Sequence, residues 1–363
     1  MWGTLKRSFA RAKRSSAFAG GILFLVALVL NIVLQGPQSF FTVRNINTLF
    51  AKNIPFILVA ISQSLLLIAG TMDVSCGIQL ALVNVVVIMT GQEWGLPFGV
   101  CCLLGIGVAM LASVLCWLCC SVFRLPALLA SYALTYIIKG VNVLIMPIPQ
   151  GKVDKVYYKF YDSQILWVIP VSLLALLLIL LIWAYVKRTK FGTHIYAVGA
   201  NPRNAFAAGI NPMVVQLKAF LLKGFIVGVA GICLTLMIAS GNPLQAEEYG
   251  IRSLSACIIG GLGFGGWGSV ACAVFGSGFF VLIQNSVYYF FTLLSKLIPG
   301  FAVSSYWQNF VTDVIIFLGL LMTIVTAKGQ REALKQGIVH QFSKESRHYD
   351  KPLPGAGEGG AEA

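Results

Sequence analysis

Charge is what this sequence lacks. Only 10% of its 363 residues are Asp, Glu, Lys or Arg, against about 25% in an ordinary soluble domain. Acids are the scarcer sign, 12 against 26 basic residues. The three histidines, His194, His340 and His348, include no pair at metal-ligand spacing. There is no Gly-x-Ser-x-Gly nucleophile elbow. The glycine cluster from Gly260 to Ser269 lacks the Gly-Lys-Ser/Thr that closes a phosphate loop. The expectation is therefore a non-enzyme with no catalytic residue, metal or cofactor on this chain.

What fills the gap is apolar. Residues of that kind make up 58% of the chain, and its mean hydropathy is +0.85. Each membrane span needs roughly 20 of them. Ten runs qualify or nearly so: 17–35, 54–70, 76–91, 97–122, 126–147, 164–186, 218–240, 251–264, 269–291 and 306–327. The pattern predicts an all-α integral membrane protein of about ten transmembrane helices (8–10). The run 251–264 is short and glycine-rich, as a re-entrant half-helix would be. The first run follows Lys6, Arg7, Arg11, Lys13 and Arg14 but has no small-residue cleavage site after it, so it reads as a span and not as a removed signal.

Three regions follow: a basic segment 1–16, a transmembrane domain 17–327 containing a long loop 187–217, and a tail 328–363 that ends Gly- and Glu-rich and reads as disordered. With the N-terminus inside, the ten-span pattern puts 17 Lys and Arg on inner segments and seven on outer ones, leaving Lys139 and Lys223 within spans. That bias predicts both termini in the cytoplasm. The net charge of +14 is thus spread over loops, which argues against a nucleic-acid face. All nine cysteines lie in apolar runs, where they serve as small packing residues.

Polar residues inside apolar runs usually face a bundle interior. Gln63, Ser64, Asp73, Ser75, Gln79 and Asn84 are candidates to line a translocation path. Asp73 is the sharpest of them, because a carboxylate at a helix centre in lipid costs on the order of 3 kcal/mol. Two roles stay open for it: a cap on the following helix at a turn near the inner face, or a group on the path. Gly70, Gly77, Gly260, Gly261, Gly265, Gly266 and Gly268 are candidates for close helix packing or for breaks in a span.

Four stretches carry a resemblance. Gly70-Thr71-Met72-Asp73-Val74-Ser75-Cys76-Gly77 resembles the Gly-x-Asp-Leu-Ser-x-Gly signature of the ribose, galactose, xylose and arabinose ABC-importer permeases. Lys187 to Asn211, with Gly192, Gly199, Asn201, Pro202, Ala207, Ala208 and Gly209, resembles that family's inside loop almost position for position. The paired glycines 260–268 and Tyr306-Trp307-Gln308 match as well. The resemblance implies a permease subunit of the bacterial inner membrane that forms a translocation path for a monosaccharide. It also implies a cytoplasmic ABC ATPase that binds the ATP and Mg, an extracytoplasmic solute-binding protein, and a second permease, identical or homologous. The inside loop would carry a short coupling helix; Asn201 as N-cap and Pro202 at the first position suit its start, Arg203 to Ala208 its body and Gly209 its end. A nucleoside or other small polar solute is the alternative cargo. An ion-coupled secondary transporter is the alternative class, although no inverted-repeat signature is evident. The chain departs from the family at Gly250 and Arg252, where acids are usual, at Ser131-Tyr132-Ala133, and at Asp313.

Overall fold

Long unbroken runs of Leu, Val, Ile and Ala satisfy every backbone group within the segment, the condition for crossing hydrocarbon. Each of the ten runs accordingly holds a helix. A computed structural model describes residues 17–165, 169–263, 265–298 and 304–326; the expected basic segment 1–16 and tail 328–363 lie outside the described residues. Besides a single turn at Pro37–Phe40, the helices are α1 (Phe18–Gln35), α2 (Val43–Ile68), α3 (Cys76–Glu93), α4 (Phe98–Trp117, continued by a π-helical turn Leu118–Val122), α5 (Ala127–Ile145), α6 (Lys155–Tyr161), α7 (Ser172–Lys187), α8 (Lys190–Ala200), α9 (Pro202–Ala207), α10 (Pro212–Ile238), α11 (Tyr249–Ile259), α12 (Val270–Leu297) and α13 (Ser305–Thr326). A two-residue antiparallel pair, β1 (Gln164–Ile165) with β2 (Ile169–Pro170), precedes α7. Residues to Ile315 form one compact unit; from Ile316 a second begins, described only as the end of α13.

Among the described residues, seven helices are long and apolar enough to cross a membrane, and eight if α7 and α8, bent by 81°, count as one span. α13, at 22 residues, is about 33 Å long and has the length to cross. α11 is not a full span: its 11 residues reach only about 16 Å. The half-helix reading of 251–264 holds in this form. α2 starts eleven residues before its apolar run, because polar Asn47 is spent on the Asp162 carbonyl (2.7 Å) and not on water.

Two faces are defined by what the helix ends touch. α2 starts beside α6, where the Tyr161 hydroxyl donates to the Ala51 carbonyl (2.8 Å), and ends against the glycine loop, where Gly265 and Gly266 donate to Leu67 and Ile68 carbonyls. α10 runs the other way, from the α9 side to Ala239, whose carbonyl accepts from Val153. The loops 148–162 and 192–211 therefore lie on opposite faces. α10 packs on α4 through glycines. A Cβ at Gly228 would come within 2.8 Å of the Ile106 Cα, and one at Gly224 within 2.8 Å of Met110. Such stripes of small residues let backbones touch in lipid. α1 lies along α12, held where the Asn31 amide donates to the Leu282 carbonyl and to Ser286 (both 2.7 Å), while Leu25, Val26, Val29 and Val33 are exposed as a lipid face.

Two helix pairs are interrupted: α2 and α3 by a break at 69–75, and α10 and α11 by a break at 239–248.

Candidate translocation and coupling site

The two breaks meet inside the bundle. A Cβ at Gly77 would sit 2.6 Å from the Ala246 and Glu247 carbonyls, and one at Gly250 would collide with the Val74 carbonyl. The N-termini of α3 and α11 thus abut, one leading to each face. Helix N-termini carry partial positive charge, and an acid stands at each: Asp73 before α3, Glu247 and Glu248 before α11.

Asp73 is fully buried. One carboxylate oxygen accepts from the Ser75 amide (2.8 Å) and hydroxyl (2.5 Å), an Asx turn that opens α3. The other is paired at 2.6 Å with Lys223 in the middle of α10, also without exposure. The Lys223 ammonium spends its remaining donors on Gln79 (2.7 Å) and Ser113 (3.2 Å), and the Gln79 amide donates to Ser75 (2.8 Å). Asp73 therefore turns the chain into α3 without capping its first turn, deep in the bundle and not at a turn near the inner face, and Lys223 makes its burial tolerable. Lys223 was legible only as an ionisable residue within a span. Nothing in the local sequence points to a partner 150 residues away.

All six candidate path residues are buried, facing the interior as polar groups in lipid should. Their polar atoms are largely engaged within the fold. Asn84 donates to Thr235 and the Ser240 carbonyl (both 3.0 Å) and accepts from Asn242 (2.8 Å), holding the second break. The Ser64 hydroxyl donates to the Ile61 carbonyl (2.6 Å). Gln63 Nε2 has no partner among the described residues.

The accessible polar surface lies elsewhere. A cleft of about 650 Å³ opens between α5 and the second break, lined by Val74, Tyr132, Thr135, Tyr136 and 244–249 with Ile251. At its edge Lys139 is held by both oxygens of Glu247 (2.9 Å each). Arg252 pairs with Glu248 (2.9 Å) and Asp313 (3.5 Å). Two departures from the family pattern, Arg252 and Asp313, are therefore partners of one another. Sequence reasoning missed this cleft because its residues come from α5 and a segment more than 100 positions away.

The loop 187–217 is helical over most of its length. Thr189 caps α8 through Gly192. The Asn201 side chain accepts from the Arg203 and Asn204 amides (3.0 and 3.1 Å), Pro202 takes the first position, and α9 runs to Ala207 with Gly209 at φ +82° after it. Asn211-Pro212 repeats the same cap on α10, a signal available in the sequence and not used. Arg203, Ala207, Ala208 and Gly209 are exposed, as is Phe206 at 68%. Gly199 is not free to move: a Cβ there would collide with the Ile68 carbonyl and lie 2.9 Å from the Gly266 amide.

The family model for the permease component of the branched-chain amino acid transport system matches residues 45–324. The chain belongs to this family. It is a multi-pass membrane transport subunit and not an enzyme. The chain is similar to the probable ABC transporter permease protein YphD of Escherichia coli (strain K12), at 28% identity over 320 residues, covering 86% of this chain and 91% of that protein. It is also similar to the autoinducer 2 import system permease protein LsrC of Yersinia pseudotuberculosis, at 25% identity over 323 residues, covering 86% and 85%. No solved structure matches.

Proposed function

We propose that the chain is the membrane-spanning permease of an ABC importer for a monosaccharide, working with a cytoplasmic ATPase, an extracytoplasmic binding protein and a second permease, in a bacterial inner membrane with both termini cytoplasmic. One observation carries the reading: α9, capped by Asn201 and Pro202, projects Phe206 from a face whose α8 is wedged against the ends of α2 and the glycine loop. A partner that pushes α9 moves α8, and α8 cannot move without displacing Ile68 and the break beside it. ATP and Mg stay on the ATPase, and this chain performs no covalent step. Its likeness to a permease named for autoinducer 2 import keeps another small polar solute as the alternative cargo.

The half-exposed charges fit a path between two permeases. Lys139 and Glu247 are each 34% exposed, and Lys139 lies about 9 Å from the end of α5. Charges at such depth face a cavity or a protein, not hydrocarbon. The test is ATP-driven sugar uptake in proteoliposomes holding the permease, its ATPase and its binding protein. Uptake is expected only with all three. Uptake by the permease alone, driven by an ion gradient, would establish a secondary transporter instead.

A further inference from the structure

The charge balance and chemistry of the cleft beside α5 go further than a passive opening. Its carboxylates have partners before any solute arrives: Glu247 accepts two bonds from Lys139, and the more exposed Glu248 pairs with Arg252 one turn along. Counting Glu247, Glu248 and Asp313 against Lys139 and Arg252 leaves one net negative charge, next to the positive N-terminus of α11. An anion finds no uncompensated cation there, and the single excess negative charge is spread over acids that already have partners. Each carboxylate oxygen has more than one acceptor position, so the paired acids still accept from hydroxyls. Across the cleft, Tyr132 and Tyr136 join hydroxyls at 2.9 Å and set their rings edge to face, 5.1 Å apart. Their exposures of 48% and 53% leave ring surface uncovered. The volume of about 650 Å³ falls within the range of small-molecule pockets, about 300–1,000 Å³.

We propose that this cleft is a solute-binding site within the membrane for a neutral polyhydroxylated molecule, which lays a C–H face on Tyr132 and Tyr136 and donates hydroxyls to Glu247 and Glu248. The inference rests on the importer reading and deepens it. The permease recognises its cargo, and does not only let it pass. Aromatic surface takes the apolar face of a sugar and fixed acceptors take its rim. A lipid tail would satisfy neither acid.

The test uses Leu244→Cys, a cleft residue 44% exposed, in the full complex reconstituted with its ATPase and binding protein. The probe is a charged, membrane-impermeant methanethiosulfonate, and the native protein sets the background of its nine cysteines. Ribose, galactose, xylose and arabinose are first screened for ATP-driven uptake by the same vesicles. Leu244→Cys is expected to label above background, and the transported sugar is expected to slow that labelling. Adding Tyr136→Ala should raise the sugar concentration for half protection about tenfold, one aromatic contact of roughly 1.4 kcal/mol, with a matching rise in KM and little change in kcat. No labelling would overturn the proposal, since the cleft would then be closed or lipid-filled. So would labelling that the transported sugar leaves unchanged, or protection indifferent to Tyr136. Each of those results with uptake intact sinks the site alone, whereas absence of ATP-driven uptake of any sugar sinks the importer reading on which it rests.

Discussion

Asp73 and Lys223 show how much one residue pair can fix. Removing one partner of a buried ion pair leaves a stranded charge, and the cost is about 3–5 kcal/mol. Asp73→Asn and Lys223→Met should each therefore lower the thermal midpoint of the detergent-solubilised protein sharply. The double variant, which strands no charge, should recover at least half of that loss. A double variant as unstable as the sum of the singles would mean the two groups act independently. The sequence pointed to Asp73 because a carboxylate among apolar runs is costly anywhere in lipid. It showed Lys223 within a span but could not pair it with Asp73, because three-dimensional proximity, not local pattern, supplies the partner. The same limit hid the pairing of Arg252 with Asp313: each was visible as an oddity, and only the fold makes them a pair.

At the scale of elements, local chemistry was readable wherever it is local. Asn-Pro followed by Gly marks α9 because capping needs an acceptor one position before a residue without an N–H. Phe206 was passed over among alanines, since exposure cannot be read from a helix of less than two turns. If α9 docks on the ATPase as proposed, Phe206→Ala should weaken co-purification of that partner about tenfold or more. The thermal midpoint of the isolated permease should stay put, because the side chain touches little of its own fold. A substitution at Gly199 would be a poorer probe, given its contact with the Ile68 carbonyl. Glycine contacts sort in the same way. Gly77→Leu or Gly250→Leu should prevent recovery of a monodisperse protein, whereas Gly107→Ala, with open space around its Cβ position, should not. Gel filtration in mild detergent separates these outcomes.

For the whole molecule, run length and composition made the all-helical membrane class plain, and the loop charges gave an orientation. What composition could not give was the meeting of the two breaks, because Gly77 and Gly250 lie far apart in the chain and only the fold brings them together. Orientation itself is open to a direct measurement. Asp154→Cys should react with an impermeant maleimide in intact cells stripped of their outer barrier, and Arg203→Cys only after the inner membrane is opened. The reverse order would invert the topology and put α9 on the wrong side for an ATPase.

The seam where α3 and α11 meet is main chain against main chain, with glycine on both sides. Side chains between helices can change rotamer and absorb a small displacement gradually. Bare backbone has no such give, so α3 and α11 move as one stiff unit or separate outright.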